Sequence, residues 1–567
     1  MHEQIDPISL EIYWNRLITI TDEVDHALVR TSFSTIVGET RDFACIILDR
    51  QGRSLAQSPF SSPAFTCMLP NTTKTMLAEY PVETLKEGDV LLTNDPWIGS
   101  GHLPDFNIVM PLFYKGEVVG FFGTAAHIAD IGGRLDFFDA RDVYEEGFRI
   151  PPTKLYKAGE PNEDVIRLLR ANVRVPDSVM GDVRAIMGAH QIGIERVQEF
   201  LAEYDLPNLD GIAEEILNRS EQAMRNAIAE LPDGSYAYRV QGDGYREPVT
   251  INIVVHIKGS EIHVDFTGSS QQFRDASINC VLNCTYADTL YPLKSALLPN
   301  LPNNEGLFRP ISIHAPEGTV FNTTFPSPVK SRSKTTFNLN TAIFGALANA
   351  IPQKVQAGSG SFWALTATGM DEDNSPFSLH FLPNGGKGAV EGMDGLPTIA
   401  FPYNGTATPT EIMENSSPIL MSKKALIPNS GGAGKQQGGS GQEIVLTSMS
   451  KRPVVMSLRP DKRLFAPPGL RGGGAGARGS FLINDKEAPV EPVTFSEGDT
   501  LVMRLPGGGG FGSPLERAAE LVANDVVDGR ITMEEARNRY GVVVDADLAL
   551  DAGATEALRS SMAKASA

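Results

Sequence analysis

The sequence predicts a mixed α/β (α+β), multi-lobed protein. Helices and strands alternate over residues 1–230, a β-rich, glycine-rich middle covers 231–513, and a small helical C-terminal appendage covers 514–567. Three observations lead there. The 567 residues exceed what one hydrophobic core holds, so about two to four domains are expected. Hydrophobic residues make up 41% and charged residues 21%, while 54 glycines and 38 prolines without a repeating period call for many turns and short strands. Finally, apolar residues recur three and four apart before residue 230 and alternate with polar ones after it.

In chain order, Leu10, Trp14, Leu17, Val24 and Leu28 recur at helical spacing from Ile8 to about Phe33, and Asp6-Pro7 suits a helix start. The stretch FACIILDRQGRSLAQ reads as strand, turn and strand, broken at Asp49, Gln51 and Gly52. Two further strands, VLLTN and FNIVMPLFY, flank the loop DPWIGSGHLPD, and EVVGFFGTAAHIADIGG is an apolar stretch that ends in polar residues and glycines. Residues 178–204 form a long helix whose apolar stripe includes Val183, Met187, Ile194 and Val197, with His190 on it as a core histidine.

From about residue 231 the run TINIVVHIKGSEIHVDFTGSS alternates as a sheet does, which makes His256 and His263 ordinary strand residues. Glycine clusters between 357 and 512 resemble phosphate loops, but none reads G-x-x-x-x-G-K-[ST], and Lys435 is followed by glutamine where a hydroxyl is needed. Positive φ and close backbone approach at sheet corners explain them better. After Pro514 the chain reads as helical, with Thr532 and Glu535 as a capping box, Gly541 as a stop and a frayed SSMAKASA tail.

Charge and cysteine usage exclude several function classes. Acidic side chains number 69 against 49 basic, and the net charge of -20 repels phosphate backbones and anionic membranes, so neither nucleic acid nor a membrane is an expected partner. Cys45, Cys67, Cys280 and Cys284 are too few for a disulfide framework and form no C-x-x-C pair. The opening MHEQIDPISL has no signal-peptide pattern, and no uncharged apolar run reaches about 18 residues. A reducing cytoplasm is the expected location.

The stretch GHLPDFNIVM carries the chemistry. Pro104 forbids a continuous helix through His102 and Asp105, so the two meet across a turn that can aim an imidazole and a carboxylate at one point. His127 ends the neighbouring strand candidate, and adjacent strands bring their ends together. Asp42, where a turn enters another strand, offers a fourth ligand, with Asp95 and Asp130 as rivals that equally suit capping a turn or orienting an imidazole. Two imidazoles and two carboxylates suit zinc, manganese or ferrous iron in a catalytic site with an open position. Loop histidines hydrogen-bonded to nearby acids would explain the same spacing. On the first reading, the N-terminal region is the metal-binding region of the fold.

The segments NDPWIGSGHLPD, HIADIGG, EEGFRIPPTKLY, NVRVPDSVMGDVRA, VDFTGSS, NNEGLFRPISIHAPEGTVFN, SGGAGKQQGG and PGGGGFGSPLERAAELV, in this order, resemble the hydantoinase B/oxoprolinase family. That family includes B subunits of ATP-dependent hydantoinases and lactamases and the large subunit of acetone carboxylase. The resemblance implies a divalent transition metal on His102, Asp105 and His127, with Asp42 as a further ligand. Ile128 stands where many members carry a second histidine, which leaves Asp130 as the nearer candidate for general acid/base work or for support behind the ligands.

The resemblance also implies a partner A subunit with an actin-like ATPase fold that binds ATP and Mg, in an α2β2-type hetero-oligomer. The expected activity is that of the β subunit of an ATP-dependent cyclic amide hydrolase acting on a lactam, hydantoin or 5-oxoproline-like ring. Metal-bound water or hydroxide would attack a carbonyl phosphorylated by the partner. The alternatives are the metal-bearing subunit of an acetone- or acetophenone-type carboxylase and a scaffold without a working site.

Overall fold

The computed structural model describes residues 5–134, 138–371, 375–399 and 401–566. In the N-terminal part, β1 (Phe43–Asp49) and β2 (Ser54–Gln57) are the expected strand–turn–strand unit. Asp49 Oδ1 accepts from the amides of Gln51 and Arg53 at 2.9 and 2.8 Å, and Gly52 supplies the positive φ that the turn needs. β3 (Val90–Thr93), β4 (Asp105–Tyr114), β5 (Glu117–His127), β6 (Thr153–Lys157) and β7 (Glu160–Pro161) follow. They form one antiparallel sheet in the order β2-β1-β5-β4-β3-β6-β7.

This sheet is covered on both faces, which explains why β1, β4 and β5 read as almost unbroken apolar runs. Helices α1 (Pro7–Thr31), α2 (Pro63–Glu79), α3 (Glu163–Asn172), α4 (Pro176–Glu203) and α5 (Asp210–Ala229) belong to this part. Cys45, Ile47, Phe106, Ile108 and Phe122 pack with Leu17, Val24, Val183 and Ile194 of α1 and α4. Ala44, Ile46, Val109 and Phe121 point the other way and pack with Phe65 and Leu69 of α2. Asp6 caps α1 by accepting from Ile8 and Ser9, as its place before Pro7 suggests.

The middle opens with β8 (Gly234–Gly242), β9 (Val249–Lys258), β10 (Glu261–Asp265) and β11 (Ile311–His314), in the order β11-β10-β9-β8 with β10 and β11 parallel. His256 and His263 sit opposite each other on the outer face of this sheet. Two helices interrupt the expected β-rich texture, α6 (Leu282–Leu297) and α7 (Ser333–Leu347). Every residue of α7 from Asn338 to Leu347 is buried, so the helix has no polar face and no amphipathic period to reveal it. One hydrophobic cluster joins Leu10 of α1, Ile253 of β9 and Ile343 of α7, so the core is continuous across residue 231.

Two further sheets pack face to face. β12 (Ala364–Met370), β13 (Pro376–Phe381), β16 (Val454–Arg459) and β19 (Val493–Phe495) form one, in the order β13-β12-β16-β19. β14 (Ile419–Leu426), β15 (Gln442–Ser448), β17 (Ser480–Ile483), β18 (Lys486–Glu487) and β20 (Thr500–Arg504) form the other. Trp363, Leu365 and Met456 meet Ile444, Leu446 and Met503 between them, with Met413 of α8 (Thr410–Ser416) added.

The glycine clusters gather beside this pair of sheets as extended segments outside any named strand. The amides of Gly386, Gly439, Gly508, Gly509 and Gly510 donate to the carbonyls of Pro506, Lys387, Gly439, Gly358 and Gly474 at 2.8–2.9 Å. Few of these glycines have positive φ; close approach of backbones is the dominant requirement. The C-terminal helices are α9 (Ala519–Val527), α10 (Met533–Tyr540) and α11 (Ala552–Ser566). Thr532 Oγ1 accepts from the Glu535 amide and Gly541 ends α10 with φ 64°, as expected. The tail differs from expectation: it is helical through Ser566 rather than frayed. No described helix is long and apolar enough to cross a membrane.

This packing can be tested at two positions. A methyl group at Gly508 would sit 2.1 Å from the Lys387 carbonyl oxygen, so Gly508→Ala is expected to cost about 1–3 kcal/mol of stability or more, read as a lowered urea midpoint. His190 is fully buried with its Nε2 2.6 Å from Thr124 Oγ1, and burial pushes its imidazole down to about 3. The unfolded chain therefore takes up this proton first as pH falls below ~6.5, and stability present above that value is lost toward pH 3 at up to ~1.4 kcal/mol per pH unit. Urea midpoints measured between pH 7 and 5 should fall more steeply for the wild type than for His190→Gln.

Candidate metal centre

The sheet brings three predicted ligands together at one end. β4 begins at Asp105 and β5 ends at His127, and these two residues are direct partners in the ladder. On the other side of β5, the His127 amide donates to the Asp42 carbonyl at 3.0 Å, one residue before β1 pairs Phe43 with Ala126. Asp42, His127 and Asp105 thus stand side by side. His102 arrives from the preceding loop, where Gly101 turns the chain at φ 85° and Pro104 leads into β4.

His102 Nε2 lies 2.7 Å and His127 Nδ1 3.0 Å from the same oxygen, Oδ1 of Asp105. Candidate ligand atoms of the three residues all fall within 4.8 Å of one another. Asp42 Oδ2 lies at the edge, 4.0 Å from His127 Nδ1. The Lys330 carbonyl accepts from His102 Nδ1 at 2.9 Å, which leaves the lone pair on Nε2. That buried Nε2 has no hydrogen-bond partner although it almost touches a carboxylate oxygen. Two electron pairs facing each other at 2.7 Å are repulsive unless a positive charge sits against both, so the residues present fit a cation.

The electrostatics agree. Burial, with the Arg332 guanidinium nearby, pushes the His102 imidazole down to about 3, so it is a neutral donor at ordinary pH. Burial opposes ionisation of Asp105, but the Arg332 guanidinium and the hydrogen bond from His127 favour the charged form, and the carboxyl is held well below its usual range. Arg332 Nη2 donates to Asp105 Oδ2 at 2.8 Å, which turns Oδ1 toward the imidazoles. Burial raises Asp42 to about 6.

The rival carboxylates have other partners. Asp95 Oδ1 accepts from the Trp97 amide at 3.0 Å and its Oδ2 lies 3.5 Å from Arg149, which makes it the turn cap that its NDP context allows. Asp130 accepts from the Arg174 amide and from Arg174 Nη1 at 2.5 and 2.7 Å, so both of its oxygens are taken up outside the three-residue group. Asp130 and Arg174 line a second hollow onto which His102 and His127 also open.

Sequence spacing misses several neighbours. Lys330 and Arg332 come from the segment leading into α7. His380 of β13 stacks on His127 with ring centroids 5.3 Å apart and planes 17° apart, and Thr366 of β12 lies 3.1 Å from its Nδ1. Arg459 ends β16. All come from more than 200 residues beyond His102, and no local pattern announces them. Arg332, His380 and Arg459 help close a cavity of about 70 Å³ over the group, lined also by Phe337, Phe362, Leu382 and Tyr403. That space admits a small ring or ~5 water molecules, not a polymer.

Four sheets packed with helices, one of them mixed and the others antiparallel, carry a buried His-Asp-His group that could hold a metal ion beneath a small cavity. Residues 6–514 match the hydantoinase B/oxoprolinase family, and the chain belongs to that family. It is 34% identical, over 98% of both chains, to a protein of Pseudomonas sp. (strain NS671) provisionally named as the B subunit of a D-/L-hydantoinase. The crystal structure of the ATP-dependent caprolactamase from Pseudomonas jessenii is similar at TM-score 0.86 and 28% identity, over 98% of this chain and all of that one. A nucleotide-free acetone carboxylase shares the fold at TM-score 0.87 and 21% identity, over 99% of this chain and 83% of that one.

His102→Ala should therefore abolish retention of a stoichiometric transition metal, read by elemental analysis of the purified chain. Because His102 lies in a loop, the thermal midpoint of the metal-free variant should match that of the wild type stripped of metal by chelation. A variant that keeps its metal would refute the assignment.

Proposed function

We propose that this chain is the B subunit of an ATP-dependent cyclic amide hydrolase that opens a lactam, hydantoin or 5-oxoproline-like ring. The observation that carries the reading is the lone pair of His102 Nε2, buried without a hydrogen bond and set against Asp105 Oδ1. His102, Asp105 and His127, with Asp42 beside them, would hold zinc, manganese or ferrous iron, a choice that two imidazoles and one or two carboxylates support. Such an ion supplies Lewis-acid charge and lowers the pKa of water.

The chain's own residues do the positioning. Lys330 fixes the tautomer of His102, and Arg332 fixes the orientation of Asp105. His380 backs the face of His127, and Phe337, Phe362 and Leu382 shield the group from bulk water. Asp130, held by Arg174, supports the wall of the second hollow and orients Arg174 there.

Amide resonance makes an unactivated ring slow to open, and phosphorylation of its carbonyl oxygen creates a leaving group. No segment of this sequence has the G-x-x-x-x-G-K-[ST] pattern. We assign the phosphorylation to a separate ATP- and Mg-binding A subunit with an actin-like fold, joined to this chain in an α2β2-type complex. The sequence relative named as a hydantoinase B subunit and the ATP-dependent caprolactamase support that division of labour.

The test is co-expression with a candidate ATP-binding A subunit, followed by ADP release and product analysis. Five- to seven-membered lactams and hydantoins should stimulate ADP release and yield ring-opened acids. Release driven only by a ketone with bicarbonate, yielding a new carboxylic acid, would replace this reading with the carboxylase one.

A further inference from the structure

The cavity over the candidate metal centre has a second wall that the coordinating residues leave unused. Arg459 from the end of β16 lines it, together with Arg332, Ser333 and Thr336 at the start of α7. Among the described residues, the Arg459 guanidinium has neither a hydrogen bond nor a contact ion pair, and its Nε is shut off from solvent. Its charge is felt at Asp42, which lines the same cavity. Arg332, 8% exposed, commits Nη2 to Asp105 and leaves Nε without a partner. Ser333 is the first residue of a 15-residue helix, and neither its amide nor its hydroxyl has a partner among the described residues.

Two of these donors, Nε of Arg332 and Nε of Arg459, are buried without a partner, which is costly, and the same cavity is lined by the start of α7, where a helix N-terminus adds partial positive charge. The charge balance points the same way. Three carboxylates, Asp42, Asp105 and Asp288, line the cavity against two guanidiniums, and a divalent cation would turn the balance positive. A filled centre therefore calls for an anion opposite it.

We propose that Arg459 and Ser333, with Arg332 behind them, form a receptor for a tetrahedral oxyanion, the phosphoryl group carried by the activated amide. The arrangement brings a planar guanidinium fork on β16 and a hydroxyl at the start of α7 to one cavity, donors on separate elements that suit a tetrahedral oxyanion better than a flat carboxylate. This deepens the reading of the chain as acting on a phosphorylated ring and rests on it. Inorganic phosphate, the group released when the ring opens, shares the same chemistry.

The experiment is calorimetric titration of inorganic phosphate, and separately of bicarbonate, into the full-length chain, with metal content measured on the same samples. Phosphate should bind the wild type and bicarbonate more weakly. Arg459→Gln should weaken phosphate binding at least about tenfold with metal content unchanged, and Ser333→Ala should weaken it less. Arg459→Lys, which keeps the charge but loses the fork, should fall between wild type and Arg459→Gln and guards against a folding defect. Equal phosphate affinity in Arg459→Gln, or a preference for bicarbonate, would overturn the receptor. If the wild type holds no metal, the coordination reading fails separately. Phosphate binding that still depends on Arg459 would then sustain the receptor, and no phosphate binding at all would remove it.

Discussion

The register of the β1–β5–β4 ladder is the constraint on which the rest of the structure depends. It sets Asp42, His127 and Asp105 next to one another at the end of three buried strands. Because side chains alternate with period two, a slip of one residue would turn the apolar set of a strand to its opposite face. Both faces of this sheet are packed, with Cys45 and Ile47 against α1 and α4 and Ala44 and Ile46 against α2, so register is held by the core itself. The geometry of the His-Asp-His group is thus inherited from hydrophobic packing.

That inheritance has an electrostatic cost. Asp105 is fully buried, and an isolated charge there would be strongly unfavourable. Arg332 supplies the compensating charge from 227 residues away and also orients the carboxylate. The Lys330 carbonyl acts on His102 across 228 residues. The segment leading into α7 is therefore part of the site as much as the loop that carries His102, and the hydrophobic cluster shared by α1, β9 and α7 holds the two in register.

The remaining cover comes from one sheet of the packed pair, which supplies His380, Thr366 and Arg459 from β13, β12 and β16. Beside them the glycine segments pack backbone against backbone, with amides of one segment bonded to carbonyls of the next. Side chains are excluded from that contact because a methyl group at Gly386, Gly438 or Gly508 would lie about 2 Å from a carbonyl oxygen. These clusters resemble phosphate loops in composition alone; here the backbone donors are spent on neighbouring glycine segments.

Much of the N-terminal architecture was legible in the residues. Amphipathic α1 and α4, the turn at Asp49–Gly52 and the strands on either side of GHLPD all carry local signals. Buried α6 and α7 carried none, because a helix enclosed on every side has no polar stripe to set its period. The sequence by itself determined that His102, Asp105, His127 and Asp42 stand at turns and strand ends where their side chains can meet. Only the tertiary structure decided that Arg332, His380 and Arg459 enclose them and that Asp130 turns to Arg174. Turns and strand ends are set by neighbours a few residues apart, whereas contacts across more than 200 residues depend on how the sheets and helices pack.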